Sequence, residues 1–189
     1  NYNIAMGYHA LSTAVSPTNT VAIGMDAIGD GNLSAAGTVA VGKEAGKKLS
    51  SSLGSIAIGY QAMLTHTTGA NNMAIGYGAM NDTDGTDITS GSASTVLGSN
   101  NNIFIGFDSG GGNWCNGSAA AASNYNVGVG NYVMDDAMDG ALANTGVGHE
   151  ALGSLTEGAS NTAIGKDAGE FITTASGSCF VGKQAGHGI

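Results

Sequence analysis

The feature that most constrains this chain is a short glycine-centred unit that recurs ten times. In one copy it reads Val21-Ala22-Ile23-Gly24. The equivalent glycines are Gly7, Gly24, Gly42, Gly59, Gly76, Gly106, Gly130, Gly148, Gly165 and Gly182. Seven of the nine intervals between them are 17 or 18 residues, and the other two are 30 and 24. A period of this length indicates a repeat architecture in which each unit packs against its neighbours.

Four columns of the repeat are in register. Four residues before the glycine stands Asn, Ser or Thr in all ten units, and one before it stands Ile or Val in nine. Alanine fills six of the positions two before the glycine and eight of those three after it. Leu, Ile, Val and Phe together supply only 35 of 189 residues, a composition close to that of disordered chains. Their strict placement overrides the composition and predicts a shared core.

The repeated tetrad has the alternation of a β-strand. Side chains of a strand point to opposite faces in turn, so Val21 and Ile23 share an apolar face, while Ala22 and Gly24 leave the other face nearly bare. Asn, Ser or Thr before the strand suits a turn. We expect the glycine to end the strand with a bend or a positive φ, and the rest of each unit to form turns and a shorter second strand.

These units predict an all-β fold, a repeat β-solenoid that forms one domain over residues 1–189. It would contain about ten coils of 17–18 residues, with insertions within 77–102 and 107–126. Stacked strands lie ~4.8 Å apart, so ten coils rise roughly 48 Å. Each coil brings few large apolar residues. We therefore expect the small-residue face to be buried against identical copies, with a homotrimer as the simplest closed assembly.

The units Asn161-Thr162-Ala163-Ile164-Gly165-Lys166-Asp167-Ala168 and Ser55-Ile56-Ala57-Ile58-Gly59-Tyr60-Gln61-Ala62 resemble the head repeat of trimeric autotransporter adhesins. They are at least as similar to repeats of bacteriophage tail fibres. The resemblance implies a left-handed parallel β-roll of three chains that binds cell surfaces, with no catalytic residue and no cofactor. The repeat is longer than that of most adhesin heads, which favours the phage-fibre branch. The chain shows no heptad stalk, membrane barrel or chaperone domain.

Charge and composition limit the classes of partner that the chain could bind. Fourteen acidic residues against five lysines give a net charge of −9, which disfavours nucleic acid and anionic membranes. No apolar run reaches the ~18 residues of a membrane span, so we expect no membrane insertion. The four histidines show no metal-ligand spacing, and no catalytic constellation can be assembled, so we expect neither a metal site nor an enzyme. Cys179 occupies the column of Val21 and is expected to be buried.

The two long intervals hold the candidate receptor contacts, since insertions in a solenoid emerge as surface loops. The candidate residues are Phe107, Asn113, Trp114, Asn116 and Tyr125. Trp114 has two interpretations, a platform for a sugar or an anchor that holds a glycine-rich loop on the roll. Asp82, Asp84 and Asp87 could hold Ca²⁺ or simply be solvated turn residues.

Tyr60, Tyr77 and Phe107 each follow a repeat glycine. A ladder of aromatic rings at this position would contact receptor glycans or pack beside a neighbouring chain. Several acidic residues share the next position, two after the glycine: Asp26, Glu44, Asp108 and Asp167.

The function that these observations favour is a structural segment of a phage tail fibre that displays loops for host-cell attachment. Its partners would be two further copies and a host cell-surface glycan or protein receptor, and its location the virion tail fibre, outside the cell. The alternatives are the head of a bacterial surface adhesin, a non-binding spacer in a fibre, and a monomeric solenoid with a flat ligand-binding face. Rigid display of three weak sites would raise avidity.

Overall fold

The computed structural model describes residues 1–34, 36–83, 98–114 and 121–187. Each repeat contributes one three-residue strand. The strands are β1 (Ile4–Met6), β2 (Val21–Ile23), β3 (Val39–Val41), β4 (Ile56–Ile58), β5 (Met73–Ile75), β6 (Ile103–Ile105), β7 (Val127–Val129), β8 (Thr145–Val147), β9 (Thr162–Ile164) and β10 (Cys179–Val181). Among these residues, no helix has the length and apolarity needed to cross a membrane.

The ten strands form one parallel sheet in sequence order, each paired only with the strands before and after it. Equivalent repeat positions face each other throughout, as in the pairing of Val21 with Val39 and of Ala22 with Ala40. The 30-residue interval changes nothing in this register, because Met73 of β5 pairs directly with Ile103 of β6. The chain is therefore a β-solenoid of about nine turns, and the predicted repeat architecture is confirmed.

The core lies on the opposite side of the strand from the one that we expected. From β2 to β10 the middle residue of each strand is buried, whereas the flanking residues are half-buried or exposed. The small-residue face is thus the inside of each coil, and its predicted burial against other copies is wrong. Alanine suits the inside because the same narrow space also holds buried residues of the turn, such as Ala27 and Ile28.

Large apolar side chains enter this core from the turn, four residues after the glycine. Ile28, Met63, Met80, Met134 and Leu152 are all fully buried there. Each has a positive φ, between 46° and 56°. This left-handed conformation costs a non-glycine residue about 1–2 kcal/mol. Full burial of such a side chain stabilises by about 1.5–3 kcal/mol, which offsets that cost.

The middle column and the turn column fill one space between them. Where the strand carries Phe104 in place of alanine, the turn carries Gly110, whose added Cβ would lie 2.9 Å from the Phe104 ring. The next strand carries Gly128, whose Cβ would meet the same ring. Phe180 and Gly186 form the same pair in the last coil, where an added Cβ on the glycine would again meet the ring. Bulk at one position is therefore matched by glycine at the other.

A buried asparagine ladder lines the start of the strands. The side-chain Oδ1 of Asn126 accepts hydrogen bonds from the backbone N and the Nδ2 of Asn144, both at 3.0 Å. The Nδ2 of Asn126 donates to the carbonyl oxygen of Ala141 at 2.9 Å. Asn72, Asn102 and Asn161 repeat this arrangement in neighbouring coils. These side chains link coils, a role beyond the local turn predicted from the sequence, and the buried amides of the ladder itself are hydrogen-bonded.

The repeat glycines form a second ladder, at the strand ends. All ten have positive φ, between 120° and 145°, as predicted. A Cβ on Gly148 would lie 2.5 Å from the carbonyl oxygen of Gly165 in the next coil. Glycine is required here by the stacking of coils as well as by φ.

The second strand predicted in each unit is reduced to single parallel bridges in the described residues. They join Thr18 to Ala36, Asn124 to Leu142, and Leu142 to Ala159. One three-residue strand per turn therefore carries the regular sheet.

Candidate functional site

The outer sheet face consists of the first and third residues of β1 to β10. All but Thr145 and Thr162 of these positions are apolar. Ile58 and Val129 are each 37% exposed, and Ile164 is 44% exposed. The coil closes behind these side chains, so no other part of the same coil covers them. The chain therefore presents a continuous apolar surface along the axis of the solenoid.

An aromatic ladder runs beside this face. We define it as Tyr60, Tyr77, Phe107 and Tyr132. The first three rings are stacked, with centroids 4.9 Å and 5.1 Å apart and planes 18° and 11° from parallel. Tyr132 meets Phe107 edge-on at 5.3 Å. The ladder forms because its residues occupy the first or second position after the glycine in four successive coils.

Charged and ionisable groups mark both ends of the aromatic ladder. At one end the ammonium nitrogen of Lys43 lies 5.4 Å from the centroid of Tyr60, a cation–π contact. At the other end the His149 ring packs against Tyr132 at 5.7 Å. The ladder and its end groups therefore extend over six successive coils.

The rings of the ladder cover each other's faces. Tyr77 is stacked between Tyr60 and Phe107, yet it is 51% exposed. Its exposed surface must therefore be the ring edge. A sugar that stacks on an aromatic platform needs an open ring face, so glycan stacking on Tyr77 is disfavoured. The ladder suits packing contacts or an edge-on partner.

Trp114 belongs to the core. Its side chain is fully buried and its ring meets that of Phe104 edge-on at 5.8 Å. Its backbone N donates to the carbonyl oxygen of Asp82 at 3.1 Å, which ties the second insertion to the first. The anchor interpretation describes this residue. The prediction that Trp114 contacts a receptor is wrong, because no part of its side chain reaches solvent.

The other candidate receptor contacts are separated. Phe107 is 37% exposed and belongs to the aromatic ladder. Tyr125 is 63% exposed at the turn before β7, where its backbone N donates to Asn100. Asn113 is exposed beside Trp114. Asn116 lies outside the described residues.

An acidic cleft of about 290 Å³ lies on the turns of the last coils. Asp135, Asp136, Glu150 and Glu170 line it, together with Gly153 and Ser154. Burial raises the pKa of Asp135 to about 6, and the negative charges of Glu150, Asp136 and Asp108 add to this effect. Only Glu150 of these acidic residues lies two after a repeat glycine, whereas Asp135 and Glu170 both lie five after one, so the acidic column noted in the sequence did not predict this cleft.

A mixed cluster lies next to the cleft. The nearest ligand atoms of His149, Glu150 and Asp167 are all within 4.8 Å of one another, an arrangement that could hold a cation. However, the ammonium group of Lys166 contacts both carboxylate oxygens of Asp167, at 3.0 and 2.9 Å. A lysine that already neutralises the most buried ligand makes this arrangement an ion-pair cluster of the protein itself.

Two further expectations concern the insertions and the cysteines. Asp84 and Asp87, two of the three aspartates considered for Ca²⁺, lie outside the described residues, while Asp82 is half-buried and accepts a 3.5 Å hydrogen bond from Thr65. Cys179 was expected to be buried, and that is wrong. It is exposed, because its column belongs to the outer sheet face.

Comparisons with known proteins identify no relative of this chain. No family model matches the chain, and no match is found among curated proteins or solved structures.

Proposed function

We propose that this chain is a structural segment of a homotrimeric fibre outside the cell, such as a phage tail fibre that attaches to a host. The observation that carries the proposal is the outer sheet face, an apolar surface as long as the solenoid that a single chain leaves half exposed. Contiguous apolar patches of this kind mark interaction surfaces.

Self-association is the simplest way to cover this face. Buried apolar surface contributes about 25 cal/mol per Å², so the eighteen apolar positions of this face provide a substantial driving force. Identical chains around a common axis give every copy the same cover without open-ended growth. The resemblance to adhesin and tail-fibre repeats supports three chains, and the ten-stranded length of the face supports a rigid rod.

Host attachment would use residues that remain at the surface of the fibre. Phe107 and Tyr125 are the exposed aromatic candidates, and three copies would present them together to a cell-surface glycan or protein, which increases avidity. The burial of Trp114 and the covered faces of the ladder rings favour a second candidate function, a fibre spacer that binds no receptor.

The molar mass in solution tests the assembly, and light scattering behind size exclusion measures it. We expect about three times the chain mass of 18.5 kDa. Val129→Asp places a charge on the outer sheet face and should shift the mass toward one chain. Ser51→Asp, at an exposed turn away from that face, is the matched control and should leave the mass unchanged. A folded monomer for the unmodified chain would contradict the trimer.

Binding of fluorescently labelled protein to a panel of bacterial strains separates the adhesin from the spacer. Deleting 107–126 would also remove Trp114 and Asn126 from the core, so single substitutions are sharper. In the adhesin, Phe107→Ala or Tyr125→Ala weakens binding to a recognised strain, while Tyr2→Ala, an exposed tyrosine just before β1 at one end of the solenoid, does not. If a correctly assembled trimer binds no strain of the panel, the spacer is supported.

A further inference from the structure

A row of outward side chains lies on the turns before β5, β6 and β7. We define this amide–tyrosine row as Asn71, Asn101 and Tyr125. Each residue stands five before a repeat glycine, so the parallel register stacks the three in successive coils, ~4.8 Å apart. All three have positive φ, between 58° and 61°. Because they share one backbone conformation, their side chains leave the turn in the same direction.

Hydrogen bonds on both sides of the row fix its backbone. On one side, the backbone N of Ala70 donates to Asn100 Oδ1, and the backbone N of Asn100 donates to Asn124 Oδ1, both at 2.7 Å. On the other side lies the buried asparagine ladder. A ligand that binds a row held in this way orders little of the protein, which lowers the entropic penalty of binding.

The two amides of the row present one donor and one acceptor to solvent. Asn71 Nδ2 donates to Asn101 Oδ1 at 3.4 Å. Within the described part of the chain, Asn101 Nδ2 and Asn71 Oδ1 then have no hydrogen-bond partner. Asn71 is exposed, and its Oδ1 lies 2.9 Å from where a Cβ on Gly54 would be, so this glycine leaves room beside it. A neighbouring donor and acceptor suit hydroxyl groups, since each hydroxyl both donates and accepts.

Tyr125 adds an aromatic ring to the row. The residue is 63% exposed, and no ring of the described residues stacks on it. The next coil places Ala143 at the same repeat position, and alanine is too small to cover a ring face. Tyr77 differs, because Tyr60 and Phe107 stack on it. An uncovered ring face offers a large, rigid apolar platform on which the CH groups of a sugar ring can pack.

The row carries no charge. Residues 70–72, 100–102 and 124–126, which form these three turns, include no acidic or basic side chain. A charged ligand would therefore lose water without gaining a counter-charge. Three side chains also cover much less than the ~800 Å² per partner of a stable protein interface. The chemistry that remains is that of a small, neutral, hydroxyl-rich ligand.

We propose that the amide–tyrosine row binds a neutral saccharide chain. One sugar ring packs on Tyr125, and its neighbour along the row hydrogen-bonds to the amides of Asn101 and Asn71. The proposal rests on the proposed attachment function, because it gives the chemical class of the receptor. The two fail separately: an assembled trimer that recognises a strain through another surface keeps the attachment function and contradicts the saccharide row.

A printed array of purified bacterial polysaccharides, neutral and acidic, is the probe for the labelled protein. We expect binding to neutral polysaccharides, and Tyr125→Ala should weaken it about tenfold because the platform is lost. Asn101→Gly should weaken it about three- to tenfold, since glycine keeps the positive φ and removes only the amide. Tyr125→Phe keeps the ring and should retain most of the binding. Tyr77→Ala, an exposed aromatic outside the row, is the matched control.

Circular dichroism and molar mass establish that each variant is folded and assembled, and Asn101→Gly decides the test if Tyr125→Ala is not. The proposal is overturned if the unmodified chain binds no neutral polysaccharide of the array, or binds acidic ones alone. It is also overturned if folded Tyr125→Ala and Asn101→Gly bind as the unmodified chain does. Binding to a recognised strain that survives periodate oxidation of surface sugars but not protease treatment would identify a protein receptor and likewise contradict it.

Discussion

At the scale of single residues, two different constraints act on the glycine that ends each strand. One is its φ, and the other is the backbone of the next coil. Gly148 has φ +135°, and its Cβ would also lie 2.5 Å from the carbonyl oxygen of Gly165. Gly182 has φ +120° but open space around an added Cβ. Gly98 has no positive φ, and no atom of the described residues would meet its added Cβ. These three glycines allow strain and stacking to be measured separately.

Alanine substitutions at these glycines should differ in a fixed order. Gly98→Ala should change the free energy of unfolding by at most about 0.5 kcal/mol. Gly182→Ala should cost about 1–3 kcal/mol from backbone strain alone. Gly148→Ala should cost more, about 4 kcal/mol, because the carbonyl of the next coil must also move. Urea unfolding at one protein concentration measures all three. Equal losses at Gly148 and Gly182 would show that coil stacking contributes nothing.

At the scale of the strand and its turn, the unit of packing is a pair of positions, one in the strand and one four residues after the glycine. Most coils combine a small strand residue with a large turn residue, as in Ala74 and Met80. The coil of β6 inverts the pair, with Phe104 in the strand and Gly110 in the turn. Both arrangements fill the same narrow space, so the two positions should be energetically coupled.

A double-mutant cycle tests this coupling. Phe104→Ala should cost about 3–5 kcal/mol through the cavity that it leaves. Gly110→Met should cost about 1–3 kcal/mol, since its Cβ alone comes within 2.9 Å of the Phe104 ring. The double variant recreates the pair of Ala74 and Met80 and should recover at least about 2 kcal/mol of the summed loss. Free energies from urea unfolding that simply add would contradict the shared space.

The strands were predictable from the sequence because each is marked by a glycine and an alternation of two apolar columns. The inside and outside of the coil were not. The pattern of Val21-Ala22-Ile23 shows two faces but not which one closes the coil. That depends on Ile28 and its equivalents, which enter from the turn at a positive φ that the sequence pattern does not reveal. Two predictions were wrong for this one reason: that Cys179 is buried, and that the small-residue face is buried against other copies.

The candidate site was also predictable only in part from the sequence. The aromatic column was visible as the residues after the glycine, including Phe107. Stacking of its rings follows from the parallel register and needed the structure only for the geometry. The position of Trp114 could not be derived, because it depends on how an insertion folds back onto Phe104 and Asp82. Single insertions carry no period from which to infer such contacts.

At the scale of the whole molecule, negative charge gathers toward one region. Asp135, Asp136, Glu150 and Glu170 line one cleft on the later coils. Regular stacking brings equivalent repeat positions together, so acidic residues that are far apart in sequence share a surface. Bringing these carboxylates together lowers the stability of the folded chain through electrostatic repulsion and burial. The effect is largest at Asp135, where burial and neighbouring negative charges raise the pKa to about 6.

This cost predicts the pH dependence of stability. Asp135 binds its proton more tightly in the folded chain than in the unfolded chain, where its pKa has the ordinary value of 3.8. Stability should therefore fall as pH rises from about 4 to about 6, and the loss should be complete above that range. Burial also raises the pKa values of Asp82 and Asp108, which act in the same direction. These three carboxyls therefore favour mild acid over neutral pH, whereas the pKa values of Glu44 and Asp167, which hydrogen bonds from Gln61 and Lys166 lower, act in the opposite direction.

Asp135→Asn removes the largest part of this dependence. The variant should match the unmodified chain at pH 4 and exceed its unfolding free energy at pH 7 by about 1–2 kcal/mol, after allowance for solvent screening of a partly exposed group. Urea unfolding at several pH values and one protein concentration measures the difference. Glu157→Gln removes an exposed charge outside the cleft and is the control, with little change expected at either pH. A variant that is no more stable than the unmodified chain at pH 7 would show that the cleft carries no electrostatic strain, and its carboxylates would then have to be solvated independently of one another.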